Sequence, residues 1–179
     1  VSQPVVLVLA SGRGERFIAS GGSGSKLQAR LGGKPVLERT LDAVRASGLQ
    51  WHLEDSGREG MGDSIAAGVR ATHTASGWLV LPGDLPLVRP ETLQAVANAL
   101  ATQRIAVPHH NGQRGHPVGF AASCRDELLQ LTGAQGAAAV VRAQPPGAVL
   151  HLELDDPGIV TDIDTIADLA AAERLLSAR

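Results

Sequence analysis

Five consecutive apolar residues, Val5 to Leu9, run without polar alternation, the pattern of a strand buried on both faces of a parallel sheet. Short apolar runs recur at Trp78–Leu81 and Ile105–His109, and Val118–Ala121 returns as a further strand. Weaker strands are expected near Gln50–Glu54 and, from loose alternation, at Ala148–Leu154. Between these runs the apolar residues fall at helical spacing. Val36, Leu37, Leu41 and Val44 share one face, with Arg39 and Asp42 pointing away. Ile65, Ala66 and Val69 form a second such face, and Leu93, Val96, Ala97 and Leu100 a third, opened by Pro90. Asp126–Leu131 and Ala137–Ala143 predict short helices, and Ala167, Leu169, Ala170, Ala172 and Leu175 a terminal one. Thr165-Ile-Ala-Asp168 has the spacing of a capping box, with aspartate in place of the usual Glu or Gln. Ile18 to Ser25, rich in glycine and serine, is expected as a mobile loop, and Gly32-Gly-Lys-Pro35 as a turn. Strands alternating with helices predict an α/β fold, and 179 residues suffice for a single domain spanning 1–179.

The chemistry gathers where the strands end. Gly12 and Gly14 permit a tight turn whose amide hydrogens can approach an anion, and Arg13 and Arg16 bring positive charge to the same place. The turn reads either as a phosphate-binding loop or as an ordinary strand-to-helix turn with solvated arginines. Lys26, after the glycine stretch, is a solvated loop lysine or one that folds over a phosphate. Asp63 or Ser64 could cap the helix after Gly60, or that helix could turn free amide hydrogens toward a ligand. Asp84 stands just beyond a central strand, where open parallel sheets place ligands. It is a turn former or, fixed between Pro82 and Pro86, a ligand for a hard cation such as Mg²⁺. Asp162 and Asp164 alternate along an extended segment, which aims both to one side. His109, His110 and His116 lack acidic or thiol partners at metal-ligand spacing, and His116 reads as a shaped loop residue that contacts backbone or substrate.

Composition removes several classes. The net charge is -2 and the aromatics are only Phe17, Trp51, Trp78 and Phe120, which argues against a nucleic-acid surface built on phosphate contacts or base stacking. The lone Cys124 excludes an internal disulfide framework and a thiolate cluster, which fits a reducing, cytoplasmic setting. No apolar run is long enough to span a membrane, and none resembles a secretory leader. A dinucleotide-binding oxidoreductase would want a third glycine soon after Gly14, where Arg16-Phe17 stand instead.

An ordered set of motifs resembles the nucleotidyltransferases of the molybdenum cofactor, within the larger nucleoside-triphosphate transferase superfamily. Leu9-Ala-Ser-Gly-Arg-Gly-Glu-Arg16 with Lys26-Leu27 looks like the family signature. Gly33-Lys-Pro-Val-Leu37, Gly83-Asp-Leu-Pro86, Arg114-Gly-His-Pro-Val-Gly-Phe120 and Asp162-Ile-Asp-Thr165 look like its later motifs. The resemblance implies a three-layer α/β/α, Rossmann-like, mostly parallel twisted sheet. It implies that Leu9, Ala10, Ser11, Gly12, Arg13, Gly14 and Ser64 hold a nucleotide, with Arg16 and Lys26 on its triphosphate. By the same resemblance Asp84 and Asp164 hold Mg²⁺, with Asp162 the second choice to Asp164, and Arg16, Lys26 and Asp84 are catalytic. Gly60-Met-Gly-Asp-Ser64 and Arg114-Gly-His-Pro117 look more like the cytidylyltransferase branch, which implies CTP as donor and molybdopterin as acceptor. Arg114, Gly115, His116 and Pro117 would then bind the acceptor, and a molybdoenzyme would receive the product. A GTP-using or sugar-phosphate nucleotidyltransferase, or a non-catalytic cofactor carrier of the same fold, remains the alternative. The chain departs from the pattern in the longer Arg16-to-Lys26 spacing, in a short Gly48-to-Gly60 passage, and in Ala134 and Ala138, where an aspartate and an arginine are expected.

Overall fold

The computed structural model describes residues 2–12, 14–57 and 60–179. In chain order its elements are β1 (Val5–Leu9), α1 (Glu15–Ala19), β2 (Arg30–Leu31), β3 (Lys34–Pro35), α2 (Val36–Ala46) and β4 (Gln50–Glu54). There follow α3 (Met61–Ala71), β5 (Gly77–Pro82), α4 (Pro90–Ala99), β6 (Ile105–His110), β7 (Gln113–Arg114) and β8 (Val118–Ala121). The chain closes with α5 (Arg125–Leu129), α6 (Ala138–Arg142), β9 (Val149–Glu153) and α7 (Ile166–Ser177).

Seven strands make one sheet in the order β4-β1-β5-β8-β6-β7, with β9 on the other edge of β6. β1 pairs parallel with β4 and β5, and β6 with β9, whereas β8 and β7 run antiparallel to their neighbours. The sheet is therefore mixed but mostly parallel, and β1 and β5 lie at its buried centre. Alternate residues of these strands point to opposite faces. Leu7, Val80, Val107 and Phe120 pack with Ile65 of α3, Leu128 of α5 and Val140 of α6. Val6, Val8, Leu79 and Leu81 pack with Leu41 and Val44 of α2 and Leu93 and Val96 of α4. Helices on both faces complete the three expected layers. A smaller cluster joins Leu27, Leu31 and Val36 to Ile163 and to Ala172 of α7, which docks the Lys26 segment beside the segment that carries Asp162 and Asp164.

Two local expectations change. The stretch expected to be loop from Ile18 onward begins as α1, because Phe17 is buried and anchors it. Gly22 lies against the Phe17 ring where a side chain would collide, and the Ser20 hydroxyl donates to Phe17 O and accepts from Ile166 N at 3.0 Å. Arg39 does not point away. Its guanidinium donates to Leu31 O and Gly32 O, the carbonyls at the tight β2–β3 turn made by the left-handed Gly32 and Gly33. Asp42 does face outward, to Lys34 and Arg45. The short Gly48-to-Gly60 passage holds β4 and leads to α3 with no further strand or helix among the described residues.

The segment that delivers Asp162 and Asp164 is clamped by Asp156. This buried carboxylate accepts from Arg89 N at 2.9 Å, from the Thr92 hydroxyl at 2.7 Å and from Gly158 N at 2.9 Å. Asp156→Ala would leave those donors without partners in a closed space, so it is expected to lower stability by about 3 kcal/mol. Urea unfolding checks this, and an unchanged midpoint would show that the clamp contributes nothing.

Candidate active site

The site lies at the carboxyl ends of β1 and β5, which pair in register from Val5 with Trp78 to Leu9 with Pro82. Backbone pairing continues just past both strands, through Ala10 N to Glu54 O at 3.0 Å and Gly83 N to Leu9 O at 2.8 Å. Gly83 is needed at that approach, since a Cβ there would stand 3.0 Å from Leu9 O and from Leu37. Its carbonyl accepts from the buried Thr40 hydroxyl of α2 at 2.8 Å. Asp84 follows on this fixed backbone, and its own carbonyl accepts from Ile163 N at 2.9 Å. That bond sets Asp162 and Asp164 on either side of a residue tied to Asp84.

Four charged groups then converge from distant parts of the chain. Lys26 Nζ donates to Asp84 Oδ2 at 2.9 Å and lies 3.5 Å from Asp164 Oδ1, while Arg16 Nη1 donates to Asp164 Oδ2 at 2.7 Å. The long spacing between Arg16 and Lys26 therefore does not separate them, since Asp164 bridges both. Gly14, in the left-handed conformation at the start of α1, turns the chain back over the Lys26 stem. The Lys26 and Asp84 side chains are 15% and 16% exposed, whereas Arg16 is 80% exposed, so the inner pair is shielded from solvent and the outer pair is screened by it. Burial works against the Lys26 ammonium, but Asp84 and Asp164 outweigh it and raise its pKa above the ordinary lysine value. The hydrogen bond from Arg16, assisted by Lys26, lowers the pKa of Asp164. Asp162 shifts the other way, raised by loss of solvent and then by repulsion from Asp84, Asp168 and Asp164. Asp164 is also positioned from behind, because its amide and that of Thr165 donate to Asp168 in the capping box of α7.

Asp84 Oδ1 is buried and has no hydrogen-bond partner among the described residues. A bare carboxylate oxygen, with a second carboxylate held on the same ammonium, is a donor set that suits a hard divalent cation. No cluster of three or more His, Cys, Asp or Glu side chains able to hold a metal is present among the described residues, so a cation here would take its remaining ligands from substrate oxygens and water.

A cavity of about 310 Å³ opens over this floor, lined by Leu9, Ser11, Gly12, Lys26, Ser64 and Asp84, with Met61 and Pro82 on its far wall. Ser11 Oγ and Ser64 Oγ lie 2.9 Å apart. A second cavity of about 240 Å³ shares Met61 and Pro82 with the first and is lined further by Arg114, His116, Val118 and Ala138. Most of the residues singled out in the sequence thus meet around one groove. Others support it from behind: Ala10 packs into the cluster around Leu27, and Gly115 and Pro117 are buried, with Gly115 N bonded to Pro108 O at 2.8 Å. Arg13 lies outside the described residues.

The start of α3 differs from either expectation. Neither Asp63 nor Ser64 caps it, because Gly60 is the cap residue and makes no side-chain cap bond. The 132–135 loop docks there instead, with Gly62 N donating to Gly133 O at 2.9 Å and Gly133 N donating to Asp63 Oδ2 at 3.0 Å. Gly62 N is thus engaged by the protein rather than turned to a ligand. Gly60 and Gly62 permit this, since a Cβ on either would strike that loop's backbone. Thr40 is a positioning residue that pattern reading passed over, although a hydroxyl on the apolar face of α2 was its visible signal.

A mostly parallel sheet between two helical layers, with Asp84 just beyond β5 and with Lys26 and Asp164 brought to it on loops, is an α/β fold of the nucleotidyltransferase type. Among solved structures, a nucleotidyl transferase from Methanothermobacter thermautotroptrophicus, Mth528, is similar across the full length of both chains at 21% identity with a TM-score of 0.82. Rv0371c from Mycobacterium tuberculosis H37Rv is similar over 97% of this chain and 99% of that one, at 24% identity with a TM-score of 0.79. It has also been solved as a manganese complex, which matches over 97% and 99% of the two chains at 22% identity with a TM-score of 0.75. The sequence profile of the MobA-like NTP transferase domain matches residues 42–149, and the chain belongs to that family. A phosphoenolpyruvate guanylyltransferase of Nocardia farcinica is 39% identical over 113 residues, 63% of this chain and 47% of that protein. The chain spans about half the length of that relative and 24% of a second, the bifunctional protein GlmU of Alkalilimnicola ehrlichii, which is 32% identical over 51% of this chain. Among the described residues no helix is long and apolar enough to cross a membrane.

His116 yields a pH prediction. Burial, reinforced by Arg114, lowers its pKa to about 4, so the folded chain keeps it neutral where an unfolded histidine takes up a proton near 6.5. Between those values the unfolded state binds more protons, so this contribution is lost as pH falls through the window, by roughly 3 kcal/mol at most. Urea midpoints from pH 7 to 4 should fall less steeply in His116→Gln than in the wild type, and parallel profiles would exclude His116 as the source.

Proposed function

We propose that residues 1–179 form one catalytic domain, a divalent-metal-dependent nucleotidyltransferase that joins the nucleoside monophosphate of a triphosphate to a phosphate-bearing acceptor and releases pyrophosphate. The observation that carries this reading is the meeting of Asp84 and Asp164 on Lys26 beneath the glycine-loop cavity, with one Asp84 oxygen left bare. An acceptor phosphate oxygen attacks the α-phosphorus, the bond to the bridging oxygen breaks, and the electron pair leaves with pyrophosphate. A phosphate monoester has its second pKa at about 6, so it arrives as a dianion and needs no general base. A bound Mg²⁺, held by Asp84 and Asp164, would offset repulsion between the nucleophile and the triphosphate. Lys26 and the exposed Arg16 would exchange their carboxylate partners for triphosphate oxygens, and Gly12, open on its side-chain side, lets the backbone approach them.

For the substrates we propose CTP and molybdopterin, with a molybdoenzyme as recipient. The support is the ordered motif resemblance, whose Gly60–Ser64 and Arg114–Pro117 segments supply lining residues of the two cavities that share Met61 and Pro82. A second reading, GTP with phosphoenolpyruvate, is favoured by the 39% identical relative. A reducing cytoplasm is proposed from the lone, buried Cys124.

Pyrophosphate release with CTP or GTP, each paired with molybdopterin or phosphoenolpyruvate in the presence of Mg²⁺, tests the proposal. Turnover is expected with CTP and molybdopterin. Turnover only with GTP and phosphoenolpyruvate would replace the substrates, and no turnover by folded protein with any pair would sink the enzyme reading in favour of a non-catalytic carrier. Asp84→Ala should reduce the rate at least about a thousandfold while the protein stays folded. Lys26 also makes a prediction about binding. Its ammonium occupies the space between the carboxylates, so Lys26→Met should bind Mn²⁺ more tightly than the wild type without nucleotide. Titration followed by electron paramagnetic resonance reads this, and equal affinities would show that Lys26 does not compete with the cation.

A further inference from the structure

Two histidines meet at the edge of the sheet, and neither cavity uses them. β9 pairs in parallel with β6, with Val107 opposite His151 and His109 opposite Glu153. Paired residues and their alternate neighbours share a face, so Val107, His109, His151 and Glu153 lie on one side of the sheet. Val107 is buried there with Leu128 of α5 and Val140 of α6, whereas the histidines stand outside that packing, His109 half-buried and His151 exposed. The register brings together rings that are 42 residues apart in sequence, with His109 Nε2 2.8 Å from His151 Nδ1 and the ring centroids 4.9 Å apart.

A neutral imidazole carries one N–H and one lone pair, so at this distance one ring donates to the other. The same two nitrogens can instead serve one metal ion. Bonds of about 2.0–2.1 Å from nitrogens 2.8 Å apart meet at about 90°, the angle between neighbouring ligands of a tetragonal ion. Strand pairing already fixes the backbone under both rings, which removes part of the ordering cost of binding. The flanking charges are of opposite sign. Arg114 is the β7 partner of His109, and Glu153 is its β9 partner, with both carboxylate oxygens 3.4 Å from Gly112 N.

We propose that His109 and His151 form a two-nitrogen site for a late first-row divalent ion of the Cu²⁺ or Ni²⁺ type. The shared hydrogen moves to the other nitrogen of its ring, and the ion takes its place between the two lone pairs. No third His, Cys, Asp or Glu completes the set among the described residues, so water fills the remaining positions. Mg²⁺ favours oxygen ligands and does not compete here. The site is independent of the nucleotidyl-transfer reading.

Calorimetric titration of Ni²⁺ into the full chain, with excess Mg²⁺ to occupy carboxylate oxygens, tests the proposal. His109→Gln and His151→Gln are each expected to weaken Ni²⁺ binding at least about tenfold, because a single imidazole remains. Neither ring is buried, so both variants keep their core. His110→Gln is the control. His110 faces the other side of the sheet, with Nδ1 3.0 Å from Leu154 O, and Ni²⁺ binding should persist without it. Paramagnetic resonance of bound Cu²⁺ should show coupling to two imidazole nitrogens in the wild type and to one in either variant. No Ni²⁺ binding at millimolar concentration, equal affinity in the wild type and both variants, or a loss in His110→Gln as large as in His151→Gln would each overturn the site. None of these readouts uses turnover, so a failure here is distinct from a failure to release pyrophosphate.

Discussion

The ammonium of Lys26 between Asp84 and Asp164 is the interaction on which the site depends. It joins the loop after α1, the end of β5 and the approach to α7, with its two carboxylate partners 58 and 138 residues away in sequence. With Lys26 and Asp84 both mostly buried, removing the cation would leave carboxylates facing each other at low solvent exposure, a cost of several kcal/mol. Whatever moves Lys26 must therefore bring a replacement positive charge. In the proposed reaction a triphosphate that attracts the lysine and a cation that takes its place would be complementary halves of one exchange. The folded chain keeps its carboxylates together by holding an internal counter-ion.

Such a cluster needs a backbone that does not relax around it. The register of β1 on β5 supplies the base, and main-chain bonds from Gly83 to Leu9 and from Ile163 to Asp84 extend that rigidity into the loops. Thr40 and Asp156 hold the two segments from behind, through a carbonyl and through three donors respectively. The chain thus places the charged side chains of the site on loops but ties the backbone at or beside each to a strand, a helix or a neighbouring loop. Arg16 is the exception, since it hangs on α1 in solvent with one carboxylate contact, and it is the group best placed to move.

The alternation of apolar runs and helical faces made the layer arrangement legible, because both faces of β1 and β5 are buried and their sequences carry no polar positions. The capping box at Thr165 was legible for a different reason: its bonds are local and need only a spacing of three residues. What depended on distant partners was not. Nothing near Ile18 announces that Ser20 ties the loop to the start of α7, and nothing near Arg39 announces that its guanidinium reaches the carbonyls of the β2–β3 turn. At the start of α3 the local sequence offered Asp63 and Ser64 as caps, yet the 132–135 loop arrives from far along the chain and takes those bonds. The longer spacing before Lys26 likewise did not announce that Arg16 and Lys26 share Asp164. Distance along the chain says little about distance in space once the intervening residues form a helix that folds back.

Electrostatics orders the two halves of the groove. One cavity has the Asp84 carboxylate in its lining, paired with Lys26, and suits a cation with an attached polyphosphate. The other has arginine without acid in its lining and suits an anion that brings no metal of its own. Met61 and Pro82 stand between them as a low apolar wall shared by both. In the proposed reaction an anionic acceptor would be held by Arg114 on one side and the triphosphate by Lys26 and a cation on the other, so that the two approach each other across Met61 and Pro82. Bringing like-charged reactants together is a large part of the cost of the proposed chemistry, and positive charge on both sides of the groove would offset it before any bond changes.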